Sequence, residues 1–154
     1  MVHYSVVEDF SRHDAISIGT QATVKDALLR MDQENTNGLL VLDDGQVVGI
    51  LALQDIAAAA VPDEMKHDVS LAGAMFKEGY FEEGARNVLK QKVSEVMRTD
   101  FLVVGPNASI MEIAADFLQN DLYIVPVIDD GKLIGVVTRT EIRRALTKSL
   151  DDKN

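Results

Sequence analysis

Two hydroxyls, a guanidinium and a carboxylate stand together in Thr138-Arg139-Thr140-Glu141, at the end of the stretch GVVTRTE over residues 135–141. Hydroxyls and backbone N–H groups where a strand gives way to a helix receive phosphate oxygens well, and an adjacent guanidinium adds charge. A second stretch, GILALQD over residues 49–55, keeps the glycine and ends in Asp55, but Ala52 and Gln54 stand where the hydroxyls would be. Two readings are open. The pair is one ligand site in two versions, or it is two corners in which Thr140 caps a helix and Glu141 favours its first turn. Arg139, Arg143, Arg144 and Lys148 form the one dense basic patch of an acidic chain. A solvated helix face complementing the helix C-terminus accounts for Arg144 and Lys148, whereas Arg139, beside the hydroxyls, is the candidate for phosphate.

The elements that must position these residues come in duplicate. Sliding the chain by 86 residues lays 7–60 on 93–146 without a gap, with ten identities among the 46 positions from 15 to 60. Gly19 falls on Gly105, Asp43-Asp44-Gly45 on Asp129-Asp130-Gly131, Gly49 on Gly135 and Ile56 on Ile142. Each unit reads as a short strand (AISIG or FLVVG) and a helix opened by Thr23-x-x-Asp26 or Ser109-x-x-Glu112. Two apolar strands joined by a D-D-G turn follow, then a last helix over 54–61 or 140–150. The order is βαββα, twice, an α/β (α+β) class. The paired strands are apolar almost continuously, so both faces need cover, and a 54-residue unit is too small to be comfortable alone. The cheapest cover is the other unit, which predicts face-to-face packing with pseudo-twofold symmetry and a cleft where the sheets meet. The expected organisation is a first repeat with its lead-in over 1–60, an insert over 61–92, and a second repeat with the tail over 93–154.

Composition narrows the partners. The chain has 154 residues, a net charge of −10 and no cysteine. That charge excludes nucleic acid as the main partner, because too few cations are present to release counterions. Missing cysteines exclude disulfides, thiolate chemistry and a cysteine zinc site. No apolar run approaches a membrane span and the start carries no basic-then-apolar leader, so the cytoplasm is the default location. His3, His13 and His67 lie in the lead-in and the insert without a metal-binding spacing, and the aspartate pairs precede hairpin glycines, where turn chemistry explains them. No catalytic constellation emerges, which points away from an enzyme.

The lead-in KVSEVM (92–97), the strand LYIVPVID (122–129), the turn DDGKLIGVV (129–137) and the corner TRTE, with a second copy at fixed offset, resemble a pair of cystathionine-β-synthase (CBS) domains, a Bateman module. The resemblance covers Val7 to about Leu146 and implies a regulatory module that takes an adenosine compound, AMP, ADP, ATP or S-adenosylmethionine, and needs no cofactor for catalysis. The family corner resembles G-h-h-[ST]-x-[ST]-D, with hydroxyls for phosphate and the acid for the ribose diol. Thr138 and Thr140 match the hydroxyls while Glu141 replaces the aspartate; Asp55 matches the acid while Ala52 and Gln54 replace the hydroxyls. Complementary halves facing one cleft would let Asp55 hold a ribose and the second unit a phosphate. By analogy Ile16, Ile18, Leu102 and Val104 border the base, a place that ordinary core packing also explains. Pro126, lacking an N–H, marks a strand edge or bulge beside the cleft.

The insert predicts one or two helices broken near Gly79 or Gly84, with Met75, Phe76, Tyr80 and Phe81 packed back on the module, over the cleft, or on a partner. Ile56 with alanines 57–60 makes a helix of little bulk, suited to close approach by another helix of its own chain or of a second copy. A homodimer is expected, with a regulated protein that the sequence does not name. Against the nucleotide sensor stands a ligand-free homodimeric scaffold, favoured by the incomplete corners, while the basic patch and Asp55 favour the sensor.

Overall fold

The computed structural model describes residues 7, 11–74, 79–120 and 124–151. The first unit runs β1 (Ser17–Gly19), α1 (Val24–Glu34), β2 (Gly38–Asp43), β3 (Gln46–Ala52) and α2 (Leu53–Ala60). A 3-10 turn at Asp63–Met65 leads to α3 (Val69–Ala74), α4 (Tyr80–Leu89) and the short α5 (Val93–Val96). The second unit supplies α6 (Ile110–Asn120), β4 (Ile124–Asp129), β5 (Lys132–Thr138) and α7 (Arg139–Asp151).

Local chemistry sets these boundaries. Thr23 and Asp26 close a reciprocal capping box on α1, the hydroxyl accepting from the Asp26 N–H at 3.2 Å and the carboxylate from the Thr23 N–H at 3.0 Å. The Thr23 N–H, and to a lesser degree the Thr23 hydroxyl, hold the Asp26 carboxyl below its ordinary pKa. In both hairpins the aspartate before glycine and the glycine itself have positive φ, 51° and 80° at Asp44-Gly45 and 51° and 76° at Asp130-Gly131. That backbone matches the right-handed twist of the strands it joins. Both hairpins also carry an irregularity at equivalent places, between Val41 and Leu42 and between Val127 and Ile128.

The duplication is imperfect at the first strand. β1 pairs in parallel with β2, whereas the expected strand FLVVG is reduced to a single parallel bridge from Val104 to Val127. Pro126 supplies the reason. In the first unit the Leu40 N–H donates to the Ile16 carbonyl at 3.0 Å, and the 86-residue offset puts Pro126, which has no N–H, in the place of Leu40. The last helices begin one residue earlier than the pattern predicts, at Leu53 and Arg139. Thr140 therefore lies inside the first turn of α7 and not at its cap. In the insert the break falls at Gly79, with φ 90°, and not at Gly84. Gly84 sits within α4, where a Cβ would strike the Ala60 carbonyl oxygen, so the alanine helix is approached by a helix of its own chain. Phe81 is exposed, while Met75 and Phe76 lie outside the described residues.

Alternating strand residues build three layers of core. Leu39, Val41 and Leu51 face α1 and α2 in the first unit, and Val125, Val127 and Val137 face Ile113 in the second. Leu40, Ile50, Ile124 and Val136, on the other faces of both sheets, form a shared layer between the units. Full burial of such a side chain stabilises by about 1.5–3 kcal/mol. The face-to-face arrangement is thus carried by the residues that give the strands their unbroken apolar character.

The lead-in segments cross over. Val7, ahead of the first unit, is wholly buried in the second unit's core, and Val93, ahead of the second, is wholly buried in the first unit's core. Matching backbone bonds fix the exchange: Val7 N–H to the Ala108 carbonyl at 2.9 Å and Val93 N–H to the Ala22 carbonyl at 2.8 Å. Arg12 then pairs through its backbone with Val136, and Arg98 with Ile50, by reciprocal N–H to carbonyl bonds. The repeated glycines make room for this crossing. A Cβ on Gly135 would lie 2.5 Å from the Arg12 carbonyl oxygen, and one on Gly49 would lie 2.5 Å from the Met97 sulfur and 3.0 Å from the Arg98 carbonyl oxygen.

Candidate functional site

Where the two sheets meet lies a cleft of ≈ 390 Å³, within the range of small-molecule sites. The crossed lead-ins supply Arg12 and Arg98, the corner of the second unit supplies Thr138, Arg139 and Thr140, and the corner of the first supplies Ala52, Leu53 and Gln54. The connection from α1 to β2, residues 34–38, forms one wall, and Ile16, Ile50 and Ile124 make an apolar floor. Three guanidiniums face one carboxylate, that of Glu34, among the lining residues. In a chain of net charge −10 the cleft thus gathers guanidinium donors suited to an anion, two of them paired with Asp14 and Asp55.

The two corner acids do the same structural job with different reach. Asp55 Oδ2 accepts from the Ala52 N–H at 2.9 Å, and Glu141 Oε1 accepts from the Thr138 N–H at 2.8 Å and the Thr138 hydroxyl at 2.6 Å. Each thus holds the backbone at the strand-to-helix corner. Their other oxygens differ. Asp55 Oδ1 accepts from Arg98 Nη2 at 2.9 Å and Nε at 3.3 Å, an ion pair whose side chains are 16% and 28% exposed. Glu141 is fully buried and its Oε2 has no hydrogen-bond donor, with an Arg144 nitrogen at 4.0 Å. The arginine equivalent to Arg98 is Arg12, and it is engaged by Asp14, with nitrogen to oxygen distances of 3.2 and 3.0 Å. That pair raises the Arg12 pKa, chiefly through the hydrogen bond, with Glu141 adding a smaller electrostatic contribution, and it lowers the Asp14 pKa.

Of the residues singled out from sequence, Thr138, Arg139 and Thr140 line the cleft, as does Ile16. Asp55 and Glu141 stand behind the lining residues and hold Arg98, Ala52 and Thr138 in place. Ile18 packs against the first unit's core, Val104 is buried in the second's, and Pro126 is buried within β4; none of the three is among the lining residues. Arg12 and Arg98 escaped the sequence reading, although the signal was present: they fall on each other at the same 86-residue offset, as do Asp14 and Asp100. Among the described residues no cluster of histidines and acids could hold a metal ion, and no helix is long and apolar enough to cross a membrane.

Comparison with known proteins agrees with this fold. Residues 7–62 and 93–148 each match the family model described as CBS domain. An uncharacterized protein of Methanocaldococcus jannaschii, MJ1426, is 32% identical over 132 residues, covering 77% of this chain and 79% of the relative. The chloroplastic CBS domain-containing protein CBSX2 of Arabidopsis thaliana is 30% identical over 132 residues, covering 80% of this chain and 55% of the relative. The chain spans 48% of another M. jannaschii relative, MJ0188. Among solved structures, CBSX2 in complex with AMP superposes with a TM-score of 0.69 at 26% identity over 95% of this chain and 98% of that one. The CBS domain pair of protein MJ0100, solved with 5′-methylthioadenosine and S-adenosyl-L-methionine, shares the fold, with a TM-score of 0.68 at 22% identity over 94% and 98% of the two chains.

Proposed function

This chain belongs to the CBS-domain family, with two copies in one polypeptide, and on that premise we propose that its inter-repeat cleft binds an adenosine nucleotide and that the bound state is read by a partner protein. The carrying observation is the convergence of Arg12, Arg98 and Arg139 from three separate segments onto one cleft that also offers Thr138, Thr140 and an apolar floor. A phosphate meets guanidiniums and the Thr140 hydroxyl, the Thr138 donors being held by Glu141, and an adenine ring meets isoleucines. The AMP complex of CBSX2 supports the same class of ligand. No catalytic step is assigned to the site; its function is regulatory binding.

The walls come from both units and both lead-ins, so a ligand that touches all of them favours one relative placement of the units. Its effect on a partner equals its difference in affinity between placements and nothing more. Calorimetric titration with adenosine, AMP, ADP, ATP and S-adenosylmethionine tests the reading. Saturable binding by a nucleotide with a dissociation constant below about 100 μM, that is about −5.5 kcal/mol, is the expected result. Failure of all five ligands to bind leaves the scaffold reading in its place.

Exposed apolar side chains favour self-association in addition. Met111 and Leu118 on α6 are 73% and 89% exposed, and Leu146 and Leu150 on α7 are 69% and 71% exposed. Their spacings of seven and four place each pair on one helix face. We propose a homodimer through this part of the second unit. Light scattering should give twice the chain mass, and Leu118→Lys with Leu146→Lys should return it to the monomer; a monomeric parent protein would refute the proposal.

A further inference from the structure

The two arginines related by the pseudo-twofold axis are held unequally. Arg98 is tied to Asp55, a carboxylate that also holds the Ala52 N–H and is 16% exposed, so its guanidinium is fixed in the wall. Arg12 is tied to Asp14, whose side chain is 76% exposed. An ion pair at the surface stabilises little and opens readily. The buried acid that the repeat places opposite Arg12 is Glu141, and its Oε1 is already taken by Thr138.

Beside the cleft lies a recess of ≈ 20 Å³ that shares Arg12, Ile16, Thr36, Gly38, Ile124 and Thr138 with it and is also lined by Asp14. A recess of that size holds no phosphate while Arg12 rests on Asp14. Once Arg12 leaves its partner, the same space presents a two-pronged donor to whatever extends past the corner. A Cβ on Gly38 would lie 2.5 Å from the Ile124 Cδ1, so the glycine leaves that side chain its place at the recess.

We propose that Arg12 is the residue through which this cleft distinguishes nucleotides by phosphate number: the first phosphate is received at Arg139 and Thr140 of the corner, and a second phosphate draws Arg12 away from Asp14. The proposal rests on the adenosine-nucleotide reading of the site and specifies its preference, for nucleoside di- and triphosphates over the monophosphate. Arg12 is joined to Val136 through its backbone, next to Gly135 and the corner, so its side chain can change partner without moving its main chain. Arg98 has no such freedom.

The test is calorimetric titration of the full chain with adenosine, AMP, ADP and ATP, in the parent protein, Arg12→Gln and Asp14→Asn. One bidentate charge-assisted contact predicts that ADP binds about tenfold more tightly than AMP. Arg12→Gln should erase that step, ADP losing more affinity than AMP, and leave adenosine, which has no phosphate, within about threefold of the parent. Asp14→Asn should raise ADP affinity about threefold, since the competing ion pair is gone. Thermal unfolding of both variants identifies any loss that is merely of fold, and a failed Arg12→Gln leaves Asp14→Asn to decide. AMP and ADP binding equally to the parent, an equal loss of both in Arg12→Gln, or no gain in Asp14→Asn overturns the proposal while the nucleotide reading stands. Absence of binding by every ligand overturns both.

Discussion

Replacing Gly135 by alanine should lower the unfolding free energy by about 3 kcal/mol, the upper end of what overpacking costs. The added Cβ would lie 2.5 Å from the Arg12 carbonyl oxygen and 3.2 Å from the Ser11 hydroxyl oxygen, and main chain cannot give way as the tip of a side chain can. Relief requires moving the lead-in, which breaks the reciprocal bonds between Arg12 and Val136 and draws Val7 from the second core. Gly19→Ala is the matched control, because nothing lies within 4 Å of its Cβ direction, and its effect should stay within about 0.5 kcal/mol. Urea midpoints at unchanged slope measure both. Equal midpoints would show that the lead-in does not lie across Gly135. Because Arg12 travels with this segment, Gly135→Ala should also weaken nucleotide binding in the fraction that remains folded.

Asp55→Ala is expected to act on stability and binding together. It removes the acceptor of the Ala52 N–H and leaves Arg98 without its partner. Breaking a fully buried pair costs about 3–5 kcal/mol, and with side chains that retain 16% and 28% exposure we expect about 2 kcal/mol. On binding, the released Arg98 no longer presents a fixed guanidinium to the cleft, so affinity for AMP and ADP should fall about tenfold. Adenosine, lacking the phosphate, should lose no more than about threefold. That split separates positioning of Arg98 from direct contact with the ligand: an equal loss for adenosine would place the ribose on the Asp55 carboxylate itself. Asp55→Asn keeps one acceptor for Ala52 and should recover most of the stability while remaining weak toward nucleotides.

The corners illustrate how far local chemistry can be read. Thr138, Arg139 and Thr140 are recognisable as a corner where hydroxyls and a guanidinium meet a helix start, while capping explains such hydroxyls as readily as a ligand does. The carboxylates are ambiguous, because an acid in a first helical turn serves the backbone as readily as a ligand. Asp55 and Glu141 both hold the N–H of the residue three before them, and only their second oxygens differ in surroundings. No local pattern distinguishes an oxygen satisfied by Arg98 from one left without a donor, since the arginine lies 43 residues away in the chain.

Local repetition is legible along the chain: two units at an offset of 86 residues, aspartate-glycine hairpins with left-handed backbones, the Thr23 capping box, and strands apolar enough to need cover on both faces. These follow from side-chain spacing and backbone sterics within a few residues. Which partners those elements took was set by the fold as a whole. Each lead-in crosses to the opposite unit, carrying Arg12 and Arg98 into one cleft, with Val7 and Val93 fully buried in the other unit's core. Pro126 removes one backbone donor and with it a strand that the repeat led one to expect, and Gly84 lets the insert lie on Ala60. Spacing along the chain sets what each element offers; the choice among buried partners is a sum over contacts far apart in sequence, and that sum exists only in the folded chain.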